Sequence, residues 1–233
     1  MKTGRLRKIY FLIFWTILIV SFVFFAILLI LVANGYHLNL KNFSLAKTGM
    51  IVLDGDQNGF TLAVNGKTRL ASFPIKLTRL FPGRYDVKIS KENYQDWTKV
   101  FIVDGGQAVL QSNIMLFLKE AKIRVLSKNE ANRQDVEESF KKQGQDLKIQ
   151  DNEVWYKEKL LTRFSQEVTG AIIDNQKSHL YLQLGDEIRA IEIDGSNDIL
   201  LFKLDQKNAV SFSLVGGKIR FVNFDTVYEA TIK

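Results

Sequence analysis

The sequence predicts an all-β extracytoplasmic region carried on one N-terminal transmembrane helix: a small antiparallel β-sandwich, then a blade-like antiparallel β segment. Three observations predict it. Residues 9–33 carry no charged side chain. From about Thr48, apolar residues alternate with period two, the period of a strand with one buried face, between turns rich in Gly, Asn and Pro. From Leu147 onward, short apolar runs recur at roughly 8–11-residue spacing, separated by turn dipeptides. The expected layout is a cytoplasmic tail (1–8), a transmembrane helix (9–33), a juxtamembrane linker (34–47), a β-sandwich (48–118), a linker with a polar helix (119–146) and a blade-like β domain (147–233).

The helix comes first. Its block holds 19 Leu, Ile, Val and Phe residues, with Tyr10 and Trp15 near its start. Twenty-five helical residues reach about 37 Å at 1.5 Å each, enough to cross a hydrocarbon core of about 30 Å with some tilt. A cleaved signal peptide is the competing reading. Its apolar region is shorter, about 7–15 residues, and it ends in a small-residue cleavage site that Val32-Ala33-Asn34-Gly35 matches poorly. Lys2, Arg5, Arg7 and Lys8 precede the block, and the next basic residue is Lys41. The positive-inside rule therefore puts the N-terminus in the cytoplasm and everything after about residue 36 outside, with Tyr36 and His37 at the outer interface.

Charge and composition exclude several function classes. The net charge is +7, of which those four basic residues supply four, leaving about +3 for the rest. No basic stripe interleaved with aromatics appears, so nucleic acid is not an expected partner. With no cysteine, the chain has no disulfide, no thiolate metal ligand and no thiol nucleophile.

The β-sandwich is written in turn chemistry. Met50–Leu53 runs into Asp54-Gly55, and Phe60–Val64 ends at Asn65-Gly66, a strong hairpin signal because both residues tolerate positive φ. Pro74 opens the run Ile75–Leu80, after which Pro82-Gly83 turns the chain. Tyr85, Val87 and Ile89 share one strand face, and Trp97–Val103 and Ala108–Leu110 follow around Asp104-Gly105-Gly106.

Taken together, Val64–Gly66, Phe73–Leu77, Pro82–Ile89 and Glu92–Trp97 resemble the PEGA domain over about 70 residues. The name-giving Pro-Glu-Gly-Ala segment is replaced by Gln57-Asn58-Gly59-Phe60, and Asn93-Tyr94 stands where the family has Gly-Tyr. Asn tolerates the left-handed conformation, so that turn is expected to persist. The resemblance implies a surface-layer-type β module of a bacterial or archaeal envelope and brings no catalytic residues.

Beyond the module, Ser127–Glu130 fits a capping box, predicting a polar helix from there to Gln143. Asp135, Glu137 and Glu138 on it are paired by Lys141 and Lys142 and read as a solvated face. Ten strands are expected in 147–233. His179–Gly195 resembles part of a β-propeller blade, and Lys218–Ala230 repeats it loosely. A blade needs about 40–45 residues and a propeller about four blades, so the 87 residues cannot close one alone. A compact β domain, a remnant and mutual completion by several chains all stay open; a small sandwich-like stack is favoured.

Catalytic patterns are missing. No Ser/His/Asp arrangement, Walker loop or metal-spaced cluster is visible, and no cofactor or metal is expected. The turn Asp54–Asn58 lacks the closing Glu of a calcium loop. The expectation is a membrane-anchored, non-enzymatic cell-envelope protein. Its partners would be the lipid bilayer and a partner protein, cell-wall polymer or surface layer, with Trp97 and Trp155 as candidate contacts. The alternative is an extracytoplasmic ligand sensor or an assembly factor of a membrane complex. Oligomeric state is left open.

Overall fold

The computed structural model of the 233-residue chain describes residues 3–39 and 44–233. Helix α1 spans Thr3–Ala33. No residue of the 24-residue stretch Tyr10–Ala33 is buried, and the stretch is long and apolar enough to cross a membrane. The helix ends where Gly35 takes φ +83° and its amide donates to the Val32 carbonyl at 3.0 Å. A left-handed glycine is a common helix stop because it has no Cβ to clash. Strands β1 (Tyr36–Asn39) and β2 (Ser44–Lys47) then pair antiparallel as a two-stranded sheet of their own. The segment read as a linker is therefore a hairpin at its described residues.

Seven strands build the sandwich: β3 (Gly49–Gly55), β4 (Phe60–Val64), β5 (Lys67–Ala71), β6 (Ile75–Leu80), β7 (Gly83–Ser90), β8 (Trp97–Val103) and β9 (Ala108–Ile114). They form sheets of order β6-β3-β9 and β5-β4-β7-β8. Period-two patterning is plain in β8, where Trp97, Phe101 and Val103 are buried while Thr98, Val100 and Ile102 are exposed.

The C-terminal part starts with β10 (Lys122–Val125) and helix α2 (Arg133–Gly144). Ten strands follow: β11 (Leu147–Gln150), β12 (Glu153–Tyr156), β13 (Lys159–Arg163), β14 (Val168–Ile173), β15 (His179–Leu184), β16 (Glu187–Glu192), β17 (Ile199–Lys203), β18 (Phe212–Val215), β19 (Lys218–Asn223) and β20 (Thr226–Thr231). They make open antiparallel sheets of order β11-β12-β13, β14-β15-β16-β17 and β10-β20-β19-β18. No sheet is closed, and the propeller-blade resemblance is not confirmed. Strand β15 is buried on both faces: Tyr181 belongs to one core, with Phe117, Phe212 and Phe221, while Leu180, Leu182 and Leu184 belong to a second, with Val154 and Val168.

Helix α2 starts later than its sequence signal. Ser127 and Glu130 make only half of a capping box: the Ser127 amide and hydroxyl both donate to Glu130 Oε2, at 3.0 and 2.9 Å, while the Glu130 amide donates to the Ser127 carbonyl at 3.0 Å, closing a turn. The helix instead starts from Asn132, whose side chain and that of Asp135 bond reciprocally to each other's amides. Val136 is buried, and Phe140 packs on the larger core. Those two apolar anchors set the helix frame, and Ser127 lies outside it.

Contacts divide the chain into two compact units. The first comprises Met1–Val52, Lys76–Tyr85 and Phe101–Leu110, and the second comprises Leu53–Ile75, Asp86–Val100 and Gln111–Lys233. By sequence, the first unit contains nine basic residues (Lys2, Arg5, Arg7, Lys8, Lys41, Lys47, Lys76, Arg79 and Arg84) and one acidic residue, Asp104, a net +8. Of the chain's 32 basic and 25 acidic residues, 23 and 24 are left for the second unit, a net −1.

Candidate functional site

In the first unit the functional feature is the junction of helix and hairpin. The Thr48 amide and hydroxyl both donate to the Gly35 carbonyl, at 2.9 and 3.1 Å. The Thr48 carbonyl in turn accepts the Gly106 amide at 3.0 Å. One residue thus clasps the helix end on one side and the β8–β9 turn on the other. Lys47 lies over that turn: a Cβ added to Gly106 would stand 2.7 Å from its Cε. Gly105 and Gly106 allow this approach, and Gly106 also holds φ +81°.

In the second unit the most connected group is the carboxylate of Glu192, at the end of β16 and 4% exposed. Trp97 Nε1 and Asn197 Nδ2 donate to its Oε1, the latter at 3.1 Å. Lys99 Nζ and Ser196 Oγ donate to its Oε2, at 2.6 and 3.0 Å. Lys99 also reaches Asp194 Oδ2 at 2.7 Å, and Asn197 Oδ1 accepts the Thr98 amide at 3.1 Å. Burial pulls the Lys99 ammonium down, but its bonds to Asp194 and Glu192 outweigh that and hold it above its ordinary value. Asp194 is held below the usual carboxylate range: Lys99 and Ser196 overcome the opposing effect of burial. Four donors fill the Glu192 lone pairs, so this carboxylate fastens the 192–197 turn onto β8.

A second buried carboxylate, Glu229 on β20, is bonded by Arg124 at 2.9 Å, Lys218 at 3.0 Å and Arg220 at 3.1 Å. Burial alone would raise it; the Lys218, Arg124 and Arg220 bonds prevail and hold it at about 2. Register puts Arg124, Glu229 and Arg220 in one cross-strand row, which fastens β10 to the sheet.

The structure also brings together three residues that sequence spacing did not single out as a set. Asp174 accepts the Ser178 amide at 2.7 Å and the Ser178 hydroxyl at 2.6 Å, and His179 Nδ1 lies 3.0 Å from that hydroxyl and 3.5 Å from Asp174. Asp174 touches the serine directly, and His179 is 3% exposed, so the group locks the β14–β15 turn; it is not the Ser–His–Asp order of a nucleophile relay. Burial opposes the charge of Asp174, but His179 and Ser178 hold its carboxyl below its ordinary value. Among the described residues no cluster of three or more His, Asp or Glu is placed to hold a metal ion.

The residues singled out by sequence fall as follows. Lys2 lies outside the described residues; Arg5, Arg7 and Lys8 lie in α1. Trp15 is 47% exposed on the helix, edge-on to Phe11 and Phe14, and Tyr36 is half-buried in β1. Asn65 and Gly66 take φ 47° and 80° between β4 and β5, as an Asn-Gly hairpin turn requires, and Asn65 Oδ1 caps the Asp86 amide at 2.8 Å. Asn93 takes φ 64°, so the Asn-Tyr turn persists. Pro82 and Gly83 are exposed where β7 starts, with Gly83 at φ 154°. One candidate contact is corrected. Trp97 is 1% exposed and offers a partner no surface, because its period-two position turns it into the sandwich and its N–H is consumed by Glu192. Trp155 is half-buried, with its N–H donated to Glu153 at 2.9 Å, and forms no aromatic patch with Trp97.

What does face solvent is an edge. Strand β8 ends its sheet, and its Val100 and Ile102 are 49% and 72% exposed. Beside Val100 runs an open groove of about 680 Å³, bordered by Ala63, Val87, Lys88, Thr98 and Asn197.

Comparison with known families assigns residues 48–115 to the PEGA domain. No curated protein gives a significant match. The matched span begins at the Thr48 clasp and ends one residue past β9, so the similarity to the PEGA domain falls directly after the apolar helix and hairpin.

Proposed function

We propose that this chain is a single-pass membrane protein, N-terminus in the cytoplasm, that displays its PEGA domain and C-terminal β region outside the cell membrane as a non-enzymatic binding module. The observation that carries the reading is α1, with a 24-residue apolar stretch of which no residue is buried, followed within two residues by structure that is bonded back to the helix end. Basic residues before the helix support the direction. The buried carboxylates Glu192, Glu229 and Asp174 are each consumed by protein donors, which supports binding over catalysis. With Trp97 buried, a partner protein is favoured over a cell-wall polymer or a surface layer as the ligand. Edge strand β8 beyond Thr98, whose amide is taken by Asn197, with Val100 and Ile102 exposed, is the place where a partner strand would add.

The test is photocrosslinking in intact cells from probes placed at Val100 and, as a control, at Lys67. The reading expects one envelope protein crosslinked from Val100 and not from Lys67. Equal, diffuse crosslinking from both would sink it. The Thr48 clasp favours a second reading, a sensor, because it joins helix and module by direct hydrogen bonds. A sensor would show crosslinks between α1 and a second membrane protein that change with ligand.

A further inference from the structure

Among the described residues the β1–β2 hairpin is a two-stranded sheet of its own. Such a hairpin alone in water is marginal, since it has too little apolar surface to pack on itself. This one nevertheless turns apolar side chains outward. Leu38 and Leu45 stand directly opposite each other and are 54% and 48% exposed. Period-two alternation puts Tyr36 and Lys47, the next opposed pair but one, on the same face. A tyrosine beside an aliphatic pair is the composition of a membrane boundary, where the ring lies in the apolar layer and its hydroxyl reaches headgroups; Lys47, whose stem lies over the Gly106 turn, adds its charge at the same end of the hairpin.

Position and charge point the same way. The hairpin begins three residues after the last residue of the apolar helix, and Thr48 ties its base to the Gly35 carbonyl, so it cannot leave the helix exit. The sequence has no Asp or Glu before Asp54, while Lys41 and Lys47 follow the helix. Within the same unit, Lys76 and Arg79 add exposed cations against Asp104 alone.

We infer that β1–β2 is an interfacial hairpin: its Leu38–Leu45 face lies in the headgroup–acyl boundary of the leaflet from which α1 emerges, and the net positive charge of the first unit favours anionic headgroups. This rests on α1 spanning the bilayer. The surface it adds holds the first unit against the membrane, where a free linker would let it swing.

The chain has no cysteine, so single labels are clean. The full chain is placed in bilayers of phosphatidylcholine and phosphatidylglycerol, with an environment-sensitive fluorophore on Leu38→Cys, Leu45→Cys, Leu70→Cys or Ile19→Cys. Leu70, 85% exposed on β5, is the water control, and Ile19 reports the span. Expected is quenching of the Leu38 and Leu45 labels by lipids with a shallow spin label, at least about twofold stronger than at Leu70, and weakened when phosphatidylglycerol is omitted. Ile19 is expected to be quenched by deep spin labels. If Leu38 and Leu45 match Leu70 while Ile19 is quenched, the hairpin inference is overturned and the span stands. If Ile19 is not quenched, the spanning reading fails and the inference with it.

Discussion

The two contact units are held together by different means. In the second, with a net charge of −1, the described charged groups that are buried are neutralised by named partners, and β15 is covered on both faces. In the first, with a net charge of +8, what joins helix to module is a pair of hydrogen bonds at Thr48, and its apolar surface on α1 and the hairpin is left open. One unit buries its charged groups against partners, and the other leaves a long apolar helix exposed. The sorting also explains the chain's high pI: its surplus of positive charge belongs entirely to the unit that carries the apolar helix.

Breaking the second unit should cost most. Trp97→Ala removes a large side chain that is 1% exposed and is expected to destabilise by about 3–5 kcal/mol, read from thermal unfolding of the full chain in detergent micelles. A loss below about 1 kcal/mol would show that β8 and the 192–197 turn are not fastened together. Glu192→Ala strands the Trp97 and Asn197 donors and should cost about 2–4 kcal/mol by the same assay, less than the tryptophan because Lys99 keeps Asp194.

Acid should act on the same unit. Glu229 is held at about 2, below its ordinary 4.5, so it binds its proton more readily unfolded than folded. Its contribution is present in full above about 4.5 and is lost as pH falls through about 2. Glu229→Gln should cost about 1–3 kcal/mol at neutral pH, little at pH near 2, and flatten the acid limb of stability against pH. An unchanged limb would mean that the Arg124, Lys218 and Arg220 bonds do not set it.

The first unit should register the smallest effect on folding. Thr48→Val deletes one hydroxyl bond and keeps the amide bond, at a cost of about 0.5–1.5 kcal/mol. Hydrogen exchange should quicken at Gly35 and Gly106, while amides of β15 keep their protection. Loss of β15 protection would contradict the division into two units.

Local features were legible in the sequence. The helix, the Asn65-Gly66 and Asn93 turns and the ten C-terminal strands are set by residues adjacent in the chain, through hydropathy, period and positive φ. What depends on distant partners was not. Trp97 is paired with a carboxylate 95 residues away, and β10 was hidden in a linker because Arg124 meets Glu229 across 105 residues. Ser127–Glu130 has the right spacing for a cap, but Val136 and Phe140 start the helix elsewhere. The hairpin escaped notice because Tyr36–Lys47 lacks the turn dipeptides that marked the other strands.

The central claim is that α1 is kept as an anchor and holds the PEGA domain outside the cytoplasm. A single cysteine at Leu70, exposed on β5, tests it with a membrane-impermeant maleimide on cells stripped to the plasma membrane. The account predicts labelling without lysis, with the labelled chain in the membrane fraction at full length. Labelling only after lysis would put the module inside, and a labelled, shortened chain in the medium would make the helix a signal sequence.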